Sequence, residues 1–232
     1  MVHTLINDAI LPRKPFWTSQ GSNRSRVRLA TSVATVALVA ISGWFFTSTS
    51  VADLGMTGNP AKAELSRRWA QGDLVVLIRH AERCDRSGNP CMANLDGITQ
   101  NGAKAALAVG TGLQQLGLQH TRIIASPLTR TQQTADLISA RIVPAQDWVS
   151  DCKSGFKDAV LANKKPQENL VLITHSGCID QFERKMGVRS ADRNSEYTQA
   201  FFVQVDGRHA PKILGSLDSA HWQNLTTEPF NP

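Results

Sequence analysis

The sequence predicts an α/β sandwich built on a largely parallel central sheet. Three observations lead there. The runs Leu74-Val75-Val76-Leu77-Ile78, Ile123-Ile124-Ala125 and Leu170-Val171-Leu172-Ile173 are short and unbroken in their apolar character, as strands covered on both faces are. Segments of helical length separate the runs, so strand and helix alternate along the chain. That order is typical of parallel sheets with helices packed on their faces.

Taken in order, the chain opens with a basic segment, residues 1–28, that carries Arg24, Arg26 and Arg28 just before eighteen uncharged residues, Leu29 to Phe46. Eighteen residues at about 1.5 Å each approach the hydrocarbon thickness of a bilayer. The basic flank places the N-terminus in the cytoplasm and the remainder outside it. A periplasmic domain follows, either held to the inner membrane by residues 29–46 or released by cleavage near Ala52, where Ser50-Val51-Ala52 has the small-x-small form of a processing site. Residues 47–62, with Gly55, Gly58 and Pro60, read as a linker. The domain is expected over residues 63–216. It begins with a helix over Ala63 to Trp69 and the strand Leu74 to Ile78. Thr99 is a plausible N-cap for a helix running to about Leu116, in which Gly102, Ala106 and Gly110 at i, i+4 spacing make a thin face suited to close approach to the sheet. Gly117 stops that helix. The strand at Ile123 precedes a helix from Thr129 to Ala140, and another helix spans Ser154 to Ala162. The Leu170 strand precedes a helix over Cys178 to Lys185, late strands cover Thr198 to Val205 and Lys212 to Gly215, and residues 217–232 form a tail. There is no internal repeat and no low-complexity stretch.

The chain has 232 residues, 41% of them hydrophobic, which suits one globular domain and an appendage. Its formal charge of +6 is concentrated at one end. Residues 1–52 hold five Lys/Arg against one Asp, which leaves 20 basic and 18 acidic residues elsewhere. Such a balance offers no clustered basic stripe for nucleic acid, and the single Tyr197 and scattered tryptophans supply no aromatic interleaving. Trp69, Trp148 and Trp222 read as core residues.

Chemistry concentrates where the apolar runs end. The first delivers Arg79 and His80 side by side, the second leads through Ser126 to Arg130, and the third ends in His175. Ligand sites of open α/β sheets lie beyond the carboxyl ends of the strands. A neutral imidazole can attack phosphorus, and guanidinium forks match phosphate oxygens. None of these residues is needed to fill a core.

An Arg-His-Ala opening, a Ser-x-x-x-Arg segment and a later histidine occur here in that order. The sequence resembles the histidine phosphatase superfamily, and over Arg79 to Ser87, Cys91 and Gly97-Ile98-Thr99 it is similar to phosphatases of lipopolysaccharide core heptose. The resemblance covers about Leu65 to Asp206. It implies a three-layer, phosphoglycerate mutase-like sandwich and a phosphoric monoester hydrolase that requires neither metal nor other cofactor. It also implies that His80 is the nucleophile, with Arg79, Arg130 and a protonated His175 around the phosphoryl group. From their positions, Thr174 and Ser176 flank the pocket as ligands or as ordinary turn formers, and Arg83, Arg86 and Lys153 form either a basic rim for a phosphorylated glycan or lipopolysaccharide core or solvated surface charge. The family's proton donor has no clear match, since Ser176 rather than an acid follows His175. Asp151 is the choice, because a bridge from Cys152 to Cys178 would draw it toward His175, and Glu82 is the fallback.

The four cysteines Cys84, Cys91, Cys152 and Cys178 allow three disulfide connectivities, of which Cys84–Cys91 with Cys152–Cys178 stiffens the pocket rim. Zinc is the competing reading, though paired C-x-x-C units are lacking. Rival functions are a phosphatase of another exported sugar phosphate or phosphoprotein, a phosphoglycerate-type mutase, and an anchored phosphate-binding protein without turnover.

Overall fold

A computed structural model describes residues 50–226. The predicted membrane segment 29–46 and basic segment 1–28 lie outside these residues. No helix among the described residues is long and apolar enough to cross a membrane.

Five strands, β1 (Leu74–Arg79), β2 (Thr121–Ala125), β3 (Asn169–Thr174), β4 (Ala200–Gln204) and β5 (Lys212–Leu217), form one sheet in the order β2-β3-β1-β4-β5. β1 and β2 both pair in parallel with β3, with Leu77 opposite Leu172 and Ile124 opposite the same residue from the other side. β4 runs antiparallel to β1, and β5 antiparallel to β4. The sheet is therefore mixed rather than largely parallel in its pairing. The cause is the path of the chain after the last long helix: it returns to the C-terminal edge of β1 before β4 starts, so Ala200 pairs with Ile78 and β4 descends.

Helices α1 (Ala61–Ala70), α2 (Gln100–Leu116), α3 (Thr129–Ser139), α4 (Phe156–Asn163), α5 (Ser176–Lys185) and α6 (Gln223–Thr226) cover the two faces. Alternate residues of each strand divide between them. Val76, Ile78, Val171 and Ile173 pack with α2 and α3, whereas Val75, Leu77, Leu170 and Leu172 pack with Phe156 and Val160 of α4 and with Ile179 and Phe182 of α5. Burial on both faces explains the unbroken apolar runs, and each fully buried aliphatic contributes about 1.5–3 kcal/mol. Asn169 fastens β3 to the first strand and helix, accepting from the Leu74 amide at 3.0 Å and donating to the Trp69 carbonyl at 2.9 Å.

Thr99 caps α2 as its position predicts, accepting from the Gly102 amide at 2.9 Å. The thin face of that helix meets something other than the sheet. A Cβ at Gly110 would lie 2.5 Å from the Ile138 carbonyl oxygen in α3, and one at Gly102 would lie 2.9 Å from the Glu82 amide just past β1. Two boundaries also move. Residues of the expected linker join the sheet edge, with Leu54 fully buried and its amide donating to Ser216 at 2.8 Å. The expected tail packs too: Trp222 is 1% exposed and its ring lies 5.9 Å from Phe202. A lone apolar residue flanked by polar ones gives no periodic signal, which is why sequence pattern treats both ends as connectors.

Candidate active site

The parallel strands β1, β2 and β3 end side by side, and the polar residues that follow them converge there. His80 leaves β1 with 4% of its surface exposed, and its Nδ1 lies 2.8 Å from the Ala81 carbonyl oxygen. A carbonyl only accepts, so Nδ1 carries the proton and Nε2 keeps its lone pair. That lone pair accepts from Nε of Arg130 at 3.2 Å. Arg130 stands in the first turn of α3, and Thr134 one turn later fixes both partners, donating to the Arg130 carbonyl at 2.6 Å and accepting from the Ala81 amide at 2.9 Å. His175 precedes the first residue of α5. Its ring centroid is 5.4 Å from that of His80, and its Nε2 lies 2.9 Å from Oγ of the buried Ser126.

Arg79 completes the group from the end of β1. Its Nη1 donates to the Ser195 carbonyl at 2.6 Å, while its Nε is buried with no acceptor. An unpaired buried donor costs about 1–3 kcal/mol, and an anion is the natural partner that would relieve it. Burial, then the charges of His175, Arg130 and Arg79, pushes His80 down to about 3, against a backbone hydrogen bond that acts the other way. Burial, then Arg130 and Arg83, pushes His175 down to about 4. Burial first, and then Arg83 and Arg86, lowers Arg130, with Asp85 and Asp96 opposing. Guanidinium charge therefore converges on two partly desolvated imidazoles, as an anion site requires.

The other candidates fall in different places. Arg83 pairs with Asp85 through Nε at 2.7 Å, and Arg86 is exposed; both act on the pocket through their charges. Ser176 is exposed at the start of α5. Thr174 is not a pocket ligand: it is fully buried, and its hydroxyl donates to the Val149 carbonyl at 2.7 Å. Both acid assignments need correction. Asp151 has a side chain 56% exposed and pairs with Lys153 at 3.4 Å, itself 86% exposed. Cys152 turns inward to its bridge, so Asp151 beside it turns out. The Glu82 carboxylate accepts from Thr99 at 2.6 Å, from Ser87 at 3.0 Å and from Asn89 at 3.0 Å, and these donors, Thr99 foremost, hold it below the usual range. It is an ionised anchor for the loop, not a proton store. Burial and the charges of Arg130 and Arg83 favour the neutral form of His175 without a bound anion, whereas the expected imidazolium belongs to the phosphate-bound state.

Disulfides join Cys84 to Cys91 and Cys152 to Cys178, with no free cysteine among the described residues. The first closes the loop that carries Asp85 and Arg86. The second ties the turn before α4 to α5, and the Cys178 amide donates to the His175 carbonyl at 3.0 Å.

Residues 75–151 match the model of the histidine phosphatase superfamily, branch 1. The lipopolysaccharide core heptose(II)-phosphate phosphatase of Salmonella typhi is 39% identical over 123 residues, covering 51% of this chain and 61% of that protein; the one from Salmonella newport is 38% identical over the same length. Over residues 75–151 the chain is thus similar to that superfamily. It spans about 61% of the length of the curated relatives it matches. Among solved structures, the protein histidine phosphatase SixA complexed with tungstate superposes with a TM-score of 0.52 over 63% of this chain and 97% of that one, at 14% identity. That likeness concerns the fold.

Both imidazoles lie far below the free value of about 6.5. The free enzyme should therefore keep its kcat/KM flat, after correction for substrate ionisation, from pH 7 to below pH 5, and lose it only near pH 4. A limb near pH 6.5 in an aryl phosphate assay would show that the imidazoles are not desolvated. Stability carries the same sign. Below pH 6.5 the unfolded chain binds more protons than the folded one, so stability falls with pH down to the folded values, for His80 by up to about 1.4 kcal/mol per pH unit.

Proposed function

We propose that this protein is a phosphatase that removes phosphate from heptose of the lipopolysaccharide core through a phosphohistidine at His80, in the periplasm. The observation that carries the reading is the unprotonated Nε2 of His80, held among Arg79, Arg130 and His175 in a buried cationic pocket. Nε2 attacks phosphorus as the bond to the sugar oxygen breaks, and the arginines stabilise charge on the equatorial oxygens. Water then attacks phosphorus, the P–N bond breaks and phosphate leaves. A bound phosphate dianion favours protonation of His175, which would then donate to a phosphoryl oxygen. With Asp151 and Glu82 both unsuited, the leaving oxygen takes its proton from solvent at the mouth of the site.

The names of the relatives support the glycan assignment, and two disulfides suit an exported protein. Mass analysis of lipopolysaccharide core from cells with and without the protein tests it: loss of the protein should add one phosphate to heptose, and identical spectra would sink the assignment. The rim loop gives a finer test. The Cys84–Cys91 bridge closes about eight residues and should contribute roughly 2.5 kcal/mol by loop entropy. Cys91→Ser should lower the melting temperature accordingly and impair a bulky glycan phosphate about tenfold more than an aryl phosphate, since Arg79 and His80 stay seated on β1. Equal losses on both substrates would show that the rim does not select by size.

A further inference from the structure

Two residues of the chain between α5 and β4 grip Arg79 from different sides. The Ser195 carbonyl accepts from Nη1 at 2.6 Å, and the ring of Tyr197 lies 3.8 Å from Cζ, with the guanidinium over its face. The same ring is 5.7 Å from the imidazole of His80. The backbone is fastened on both flanks: the Thr198 amide donates to the Arg79 carbonyl at 3.1 Å, and the Arg79 amide donates to the Gln199 carbonyl at 3.1 Å. Thr198 has φ of +59° and is 1% exposed. A β-branched residue in the left-handed region is strained, and such strain persists only where its surroundings over-determine it. The strained turn keeps the Tyr197 ring against Arg79. Of the guanidinium's donors, Nε remains buried without an acceptor.

We propose that Tyr197 is a positioning residue which, with the Ser195 carbonyl, locks the Arg79 guanidinium so that its unpaired Nε is ready for an oxygen of the bound phosphoryl group. The proposal rests on the phosphatase reading only in taking that group as the ligand. A cation on a ring face is held by the quadrupole of the ring, so the face acts and the hydroxyl does not. An arginine ordered before binding loses less conformational freedom when the anion arrives. The gain appears in phosphate affinity, and again in the transition state, which presents the same oxygens.

A double-mutant cycle on the full chain tests this. Tyr197→Ala, Tyr197→Leu and Tyr197→Phe are made in the parent and in the Arg79→Ala background, with inorganic phosphate binding read by calorimetry and kcat and KM read on an aryl phosphate. Tyr197→Ala should weaken phosphate about tenfold and lower kcat/KM about thirtyfold, and Tyr197→Leu, which keeps bulk without a π face, should behave alike. Tyr197→Phe should retain both to within about threefold, and in the Arg79→Ala background Tyr197→Ala should change neither by more than about twofold. Three results would overturn the proposal: parent-like behaviour of Tyr197→Ala and Tyr197→Leu, a loss in Tyr197→Phe as large as in Tyr197→Ala, or an undiminished effect without Arg79. Phosphate binding is read without turnover. A parent protein that binds phosphate but hydrolyses nothing would sink the phosphatase reading while the cycle still judges Tyr197.

Discussion

His80→Ala should lower kcat on an aryl phosphate by roughly 10⁴-fold or more, the scale on which loss of a covalent nucleophile acts. Acid-labile phosphate should be trapped on His80 in the parent and be absent from the variant. The assignment follows from the proton inventory of the site. His80 Nδ1 donates to the Ala81 carbonyl, which leaves its lone pair at Nε2 facing the Arg130 guanidinium that would bind the phosphoryl group, whereas Nε2 of His175 lies against the neutral Ser126 hydroxyl. Capture of phosphate on His175 instead would reverse the two roles. The same variant checks the desolvation. His80→Ala should remain folded to lower pH than the parent, because it has no buried imidazole to protonate.

Arg130→Ala should cost roughly 10³-fold in kcat/KM, comparable with the loss of an arginine that stabilises a transferring phosphoryl group. Arg130 Nε reaches Nε2 of His80, at 3.2 Å, so a phosphoryl group arriving at that nitrogen must displace the hydrogen bond and take it over. Arg130→Lys should recover only a small part, since an ammonium offers no planar fork. The measurement is kcat/KM together with the phosphate inhibition constant, and both should move. A change confined to KM would show that Arg130 binds the ground state and transition state alike.

The parts of this arrangement that could be read in the sequence are those with a chemical reason to stand out. Arg79, His80 and His175 end apolar runs, and Arg130 follows one, where packing has no use for them; the runs themselves are continuous because β1 and β3 are buried on both faces. Thr99 declared itself as an N-cap. The direction of β4 could not be read, since an apolar run looks the same from either end. With it went Ser195 and Tyr197, which reach Arg79 only because the chain climbs back to the sheet edge that carries His80 before β4. Ser126 lay inside the motif, but only the fold puts its hydroxyl against His175. Asp151 failed for a local reason: adjacency to a bridged cysteine fixes where the backbone goes, not which way its neighbour points.

The strand order has a consequence for how the domain is assembled in time. β1 lies between β3 and β4, and its first ladder partner, Leu170 opposite Val75, is made 95 residues later. β2 pairs with β3 alone. No two of the five strands can pair until β3 has been synthesised, so the hydrophobic strand that ends in His80 waits through most of the chain for its neighbours. Loops this long make nucleation slow, because closure entropy is lost before non-local contacts compensate it. The nascent polypeptide should therefore remain extensible and protease-sensitive until β3 emerges, and the pocket should appear late and in a single step, when β3 delivers His175 beside a His80 synthesised long before.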